Sequence, residues 1–436
     1  MEKASVLRWI VRVLGISLAV LPAAFLALRA YGAYRFASAD RRLHEKLGSA
    51  IGYVMEKVPD DQNAAIALWA GADALTLSNE NKAFLSNLQE SEHWTDQQRA
   101  ELGEILAANG HGLELLHRAA ELKRSNFNLS FFDIPEIMTV NRTHSPFPFV
   151  SFLTAQRLLS FEARTFLQRG DWPQFLISVN SMAATTAALQ REVKESPQML
   201  GIVLEMYLLN ETLAAAADPL CSTSTIKSLV SLLPDTDLQL AWKRTLAAEK
   251  ERYDQMWVFF AERPNDWRSP TRRAICSMPK SIFRAQEYES LLDFVDAMSL
   301  PYGSNPPWVA TGELMMSTSP LNVFRSLPAH NHMSQVGRLQ TLMSLRRLAR
   351  LVLNLRLAEL DSGEYPATLS SFPAASEPDP FTGKTLSYQR KADGSAQITV
   401  SGAAELYKKL THNSRIKCPF NWELPAPLVH VSRPNR

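Results

Sequence analysis

The chain has 436 residues, 46% of them apolar and 21% charged. That composition belongs to a folded protein, and the length exceeds one compact core, so two or three domains are expected. A formal net charge of +2, with no basic excess, excludes an electrostatic case for nucleic acid as a partner. The three cysteines, Cys221, Cys276 and Cys418, lie far apart with no zinc or redox spacing and are expected to be buried free thiols.

The amino end carries an uncharged run from Val13 to Leu28, which spans about 24 Å as a helix. Arg12 and Arg29 flank it and can reach the headgroups, while Trp9, Tyr31 and Tyr34 suit the interface. A membrane anchor is therefore expected within residues 1–36, in contact with lipid. Ala37-Ser38-Ala39 has the small residues of a cleavage site but lies well past the apolar run and after Arg35, so the anchor is expected to stay uncleaved. Basic residues occur on both sides of the span. A short positive amino tail ordinarily stays in the cytoplasm, which predicts a single-pass inner-membrane protein with its bulk extracytoplasmic.

Residues 37–330 read as helix after helix. Thr95-Asp96-Gln97-Gln98 is a capping box, and the helix it opens stops near Gly110. A helical pair follows. Phe149 to Gly170 ends on a glycine suited to a left-handed cap, Asp171 caps the next helix, and Pro173 stands in its first turn. Further helices are expected over Gln198–Ala217 and from about Asp237 to Glu262. No strict repeat recurs, so the segment is expected to be an irregular α-solenoid or helical array. Two stretches rich in Pro, Ser and Asn, Arg124–Pro148 and Leu300–Pro328, read as connections.

Chemistry is scarce. His44-Glu45-Lys46-Leu47-Gly48 lacks the second histidine of a zincin, and Gly383-Lys384-Thr385 lacks the upstream glycine of a P-loop. Two Glu-x-x-His pairs, Glu90/His93 and Glu114/His117, put both groups of each pair on one helix face, as di-iron carboxylate bundles do. Chance supplies such pairs in a chain of this size, so solvated helix faces are the expectation. A metal-dependent enzyme built on those four residues is the alternative. No catalytic residue, cofactor or metal is expected.

The last segment, 331–436, opens on a long helix. Leu342, Leu345, Leu348, Val352 and Leu355 form its apolar side, and Arg346, Arg347, Arg350 and Arg356 form a basic side expected to be solvated. Then come Gly363-Glu364-Tyr365-Pro366 and Pro378-Asp379-Pro380-Phe381-Thr382-Gly383-Lys384. Strands alternate at Leu386–Arg390 and Ala396–Val400 around a turn at Lys391–Ser395. Two strands alone are marginal, so a third is expected near Pro425–Val431. Asp361, Glu364, Asp379 and Asp393 are oxygen donors that read as turn formers before calcium ligands.

The order of long helix, "GEYP", "DPFTGK" and hairpin resembles the globular part of type II secretion pseudopilins, over about Gln335 to Gly402. Read with "RLLSFEARTFLQRGDW", "GIVLEMYLLNETLAAA" and "LAAEKERY", most of the chain from about residue 110 resembles an uncharacterised family of membrane-anchored bacterial helical-array proteins. That resemblance implies no activity. The pilin helix with its processing site does not directly precede the module, and the acidic calcium loop is not evident. The resemblance therefore implies a borrowed module rather than a pilin subunit.

The expected fold is mainly α: an N-terminal transmembrane helix, a helical array and a small C-terminal α+β module. The expected role is a non-enzymatic scaffold or adaptor of the bacterial envelope that presents a helical surface to an unidentified protein partner. An accessory part in a secretion or pilus system is a further alternative.

Overall fold

The computed structural model describes residues 2–90, 94–127, 148–262, 280–301, 323–404, 406–407 and 420–427, with side chains left undescribed at 2–19, 21, 90, 256–262, 280, 283, 323–334 and 373–374. The fold is mainly helical with one small antiparallel sheet. Two compact units form, neither of them continuous in sequence.

The first unit comprises Met1–Gly52, Leu246–Ala297 and Pro307–Met333. Helix α1 runs unbroken over Glu2–Leu47. Among its described side chains, Ala39, Leu43 and Leu47 are buried, while Val20, Phe25, Leu26, Tyr31 and Tyr34 are exposed. It meets a helix over Lys280–Met298 at Gly32, where a Cβ would stand 2.5 Å from Ile282 Cγ1 and 2.7 Å from Ser281 Oγ. Arg35 Nε donates to Glu289 Oε1 at 3.0 Å, and Lys46 pairs with Asp296. Asp254 accepts from Tyr288 Oη at 2.6 Å and from Arg284. Burial pushes the Asp254 carboxyl up, but these donors outweigh it and hold the group below the usual carboxylate range.

The second unit comprises Tyr53–Thr245, Met298–Pro306 and Ser334–Arg436. Its helices are α2 (Ala64–Ala74), α3 (Asn79–Glu90), α4 (Asp96–Ala108), α5 (Gly110–Ala119), α6 (Phe149–Arg169), α7 (Trp172–Gln190), α8 (Glu195–Ala216) and α9 (Thr223–Leu232). Part of α10 (Leu238–Glu262) and most of α12 (Val323–Ser362) complete it; α11 is the Lys280–Met298 helix.

Local signals set the helix ends. Thr95 and Gln98 form the reciprocal capping box of α4. Gly170 closes α6 at φ +69°, and Asp171 accepts from Gln174 N at 3.3 Å to open α7. Helices α2 and α5 pack closely because Gly71 and Gly112 face each other. A Cβ on Gly112 would stand 2.5 Å from Leu75 Cδ2 and 3.0 Å from Gly71 O. Helices α6, α7 and α8 pack pairwise to form the core of this unit.

Among the described residues, α8 is the one helix long and apolar enough to cross a membrane, with mean hydropathy 1.3, and 72% of that stretch is buried inside the protein. Its carboxylates are paired internally: Glu211 accepts from Arg164 Nε at 2.8 Å and from Ser160 Oγ at 2.6 Å. The Glu211 charge holds Arg164 above its ordinary value against the cost of burial. Helix α8 is thus a core helix.

Helix α12 differs from expectation in two ways. It starts at Val323, so Val323–Pro328 is helix and not connection. Its basic side is also only in part a solvated face: Arg350 is exposed and Arg347 half-buried, but the other two are not. Arg356 is 1% exposed and Arg346 is 8% exposed. Arg346 is drawn in because Glu205, fully buried on α8, needs a counter-charge; Arg346 Nη2 lies 2.7 Å from Glu205 Oε2 and 2.9 Å from Gln190 Oε1. Arg356 donates to Glu359 Oε2 at 2.6 Å, to Tyr365 Oη at 3.3 Å and to Pro219 O at 3.2 Å.

The "GEYP" and "DPFTGK" motifs are structural. Gly363 ends α12 at φ +82°, with its N–H on Glu359 O at 2.7 Å. Tyr365 is fully buried, and Arg390 Nη1 donates to its carbonyl at 2.9 Å. Asp379, also fully buried, accepts on Oδ1 from Phe381 N, Thr382 N and Thr382 Oγ1 at 3.1, 2.7 and 2.9 Å, and on Oδ2 from Ser344 Oγ at 2.5 Å. It is an Asx-type turn former tied to α12. Asp393 likewise accepts from Ser395 N at 2.9 Å, and Glu364 pairs with Arg390.

The sheet has the order β1 (Ser387–Arg390), β2 (Ala396–Thr399) and β3 (Asn421–Leu424), all antiparallel, with Tyr388↔Ile398 and Ile398↔Trp422 in register. The third strand precedes the expected Pro425–Val431 segment. Pro425 lacks an N–H for the ladder and ends it; residues 428–431 of that segment lie outside the described set.

Candidate functional site

Two concave features of the second unit bring charged side chains of the expected segments together. The larger has a volume of about 680 Å³ and lies along α12 between the segment Asp235–Gln239 and the loop Ser371–Pro380. That volume is within the range of small-ligand sites, about 300–1,000 Å³. Arg346, Arg347 and Arg350 line the helix wall, and Asp235, Asp237 and Glu377 stand on the loop walls.

The three arginines are held differently. Arg346 is neutralised by Glu205. Arg347 Nη1 donates to Pro378 O at 2.8 Å and Nη2 to Glu377 O, while its Nε is buried with no partner. Burial pushes Arg347 below its ordinary value, against the more distant charges of Asp379 and Glu377. Arg350 is exposed and donates Nη2 to Pro234 O at 2.9 Å. Asp237 caps the following helix by accepting from Leu240 N at 3.0 Å.

The second feature, of about 410 Å³, lies between α4, α5 and α6. His117 is one of its lining residues. Its Nδ1 is 2.8 Å from Ser181 Oγ, and its Nε2 is 3.2 Å from Glu162 Oε2. Ser181 donates its own proton to Ile177 O at 3.0 Å, so the network assigns donation from Nδ1 to Ser181. Glu162 Oε2 also accepts from Ser178 Oγ at 2.6 Å. Both ring nitrogens are therefore occupied. The imidazole works here as a tie between α5, α6 and α7, with no nitrogen free for the cleft.

The four residues of the metal alternative, Glu90, His93, Glu114 and His117, are not gathered into a site among the described residues. Glu90 closes α3 and its side chain is not described; His93 lies outside the described residues. Glu114 is exposed and pairs with Arg118 on its own helix, while His117 is engaged as above. Among the described residues, no group of three or more His, Cys, Asp or Glu could hold a metal ion. Of the anchor residues, the side chains of Arg12 and Val13 lie outside the described set, Leu28 is half-buried and Arg29 is exposed.

Other groups were not foreseen from sequence. Glu192 is buried and accepts from Phe127 N at 2.8 Å; burial pushes its carboxyl up to about 7. Cys221 is a buried free thiol, pushed up to about 12 by burial, while Cys276 and Cys418 lie outside the described residues. The pairing of His117 with Glu162 was also hidden, because 45 residues separate them and no local spacing marks the contact. The chain matches no protein-family model, and no match is found for it among the curated proteins or the solved structures.

Proposed function

We propose that this chain is a single-pass, membrane-anchored scaffold or adaptor of the bacterial envelope, with its helical array offered to a protein partner. One observation carries the reading. Helix α1 packs its later part through Ala39, Leu43 and Leu47, while Val20, Phe25, Leu26, Tyr31 and Tyr34 stand exposed. A helix of 46 residues is about 70 Å long, more than twice the roughly 30 Å of a hydrocarbon core. One part can cross a bilayer while the other packs in the protein. Large exposed apolar side chains in one continuous stretch mark a membrane or partner contact, and the Val13–Leu28 run with its flanking Arg12 and Arg29 favours lipid.

Basic residues stand on both sides of the run and do not decide orientation; the positive residues Lys3, Arg8 and Arg12 ahead of it support a bulk that is extracytoplasmic. The likeness of the last segment to a pseudopilin module supports a role near a secretion or pilus machine, by analogy of fold alone. Alkaline carbonate extraction of membranes tests the anchor. The full chain is expected to stay in the pellet and a Val13–Leu28 deletion to be released; release of the full chain refutes anchorage. Protease added to spheroplasts is expected to degrade the bulk of the chain, and complete protection reverses the orientation.

A further inference from the structure

The cleft along α12 presents two arginines that no carboxylate contacts directly among the described residues. Arg347 and Arg350 point donors at the backbone carbonyls of Glu377, Pro378 and Pro234. Carbonyls orient a guanidinium but do not neutralise it. Among the described residues neither arginine has a carboxylate within ion-pair distance, in contrast to Arg346 with Glu205 and Arg356 with Glu359. A guanidinium carries five N–H donors, and Arg350 uses one group of them. Two positive forks, fixed and incompletely used on adjacent turns of one helix, form a receptor for a planar oxyanion.

The opposite walls decide which oxyanion. The carboxylates of Asp235 and Glu377 line the same cavity and are exposed. They repel a ligand with several negative charges, such as a nucleic acid or an anionic lipid surface. They favour a ligand that brings one carboxylate together with donors or a positive group. Met343, Leu351, Phe372 and Pro380 add apolar lining. A polypeptide supplies all three: a carboxylate, backbone N–H groups and apolar side chains.

We infer that this cleft binds a peptide segment of a partner protein through a single carboxylate held between Arg347 and Arg350, with the adjacent basic or N–H groups of that segment facing Asp235 and Glu377. The inference deepens the adaptor reading, since it names the surface and the chemistry of what it takes, and it is independent of anchorage.

The test uses the purified full chain in detergent on a positional-scanning pentapeptide array, with succinate, inorganic phosphate and phosphatidylglycerol vesicles as separate probes. Peptides with one acidic residue are expected to bind, and replacing that residue by its amide is expected to weaken binding about tenfold or more. Arg350→Gln, at an exposed position, is expected to abolish the preference while leaving the circular dichroism and the unfolding midpoint unchanged. Arg350→Glu is expected to turn the preference towards peptides with a basic residue. Absence of any Arg350-dependent peptide signal overturns the inference, as does stronger competition by phosphate, succinate or vesicles. Failure here leaves carbonate extraction unaffected, and failure of anchorage leaves the array result unaffected.

Discussion

Arg346 on α12 and Glu205 on α8, 141 residues apart in sequence, form a buried ion pair with 2.7 Å between Nη2 and Oε2. Glu205 is fully buried, and Gln190 and the Thr236 carbonyl complete the shell around the guanidinium. The pair joins the long helix α12 to helix α8 in the core of the second unit, across a large stretch of chain.

Removing one partner leaves a charge stranded in the interior. Arg346→Met is expected to destabilise the fold by about 3–5 kcal/mol, and the double variant Arg346→Met/Glu205→Met to recover most of that loss. Urea unfolding of the four proteins in a double-mutant cycle measures this. Equal destabilisation by the single and double variants would contradict the assignment.

Glu192 makes stability depend on pH with a definite sign. Its ordinary value is 4.5, and burial raises it to about 7 in the folded state. Between those values the folded protein holds a proton that the unfolded chain has lost. The contribution is complete below about pH 4.5 and is lost as pH rises towards about 7, by on the order of 3 kcal/mol at most. Glu192→Gln keeps an acceptor for Phe127 N–H and is expected to flatten the fall in unfolding midpoint across that window. A slope that persists in the variant refutes the role of Glu192.

Two glycines are expected to respond in opposite directions. A Cβ at Gly103, in the interior of α4, meets nothing within 4 Å, so Gly103→Ala is expected to stabilise by roughly 0.5–1 kcal/mol through helix propensity. At Gly112 the added carbon meets Leu75 and the Gly71 carbonyl. Gly112→Ala is expected to destabilise by about 1–3 kcal/mol through overpacking. Thermal midpoints measured side by side separate the two effects.

Cys221 is 2% exposed and raised by burial. In a Cys276→Ser/Cys418→Ser background it is expected to be inert to Ellman's reagent in the native protein and to react fully in denaturant. Fast native labelling would show that the Cys221 pocket opens.

Legibility followed distance along the chain. The Thr95/Gln98 capping box, the Gly170–Asp171 junction and the Lys391–Ser395 turn were readable because each is decided by residues within a few positions. The basic side of α12 was misread because the partner of Arg346 lies on another helix. Amphipathic periodicity registers that a face is charged, but not that a buried carboxylate waits opposite it. The third strand was placed a few residues late because Pro425 reads as a breaker without saying which side of it is paired. The α12 cleft was invisible for a related reason, since its walls come from three separate segments and its donors are set by backbone carbonyls, which carry no sequence signature.

The contact between Arg35 and Glu289, 254 residues apart, has a consequence in time. At synthesis rates of about 5–20 residues per second, on the order of 10–50 s pass between the emergence of α1 and that of α11. Throughout that interval Gly32 and Arg35 lack the α11 residues they meet in the folded first unit, so whatever first receives α1 acts before that unit is whole.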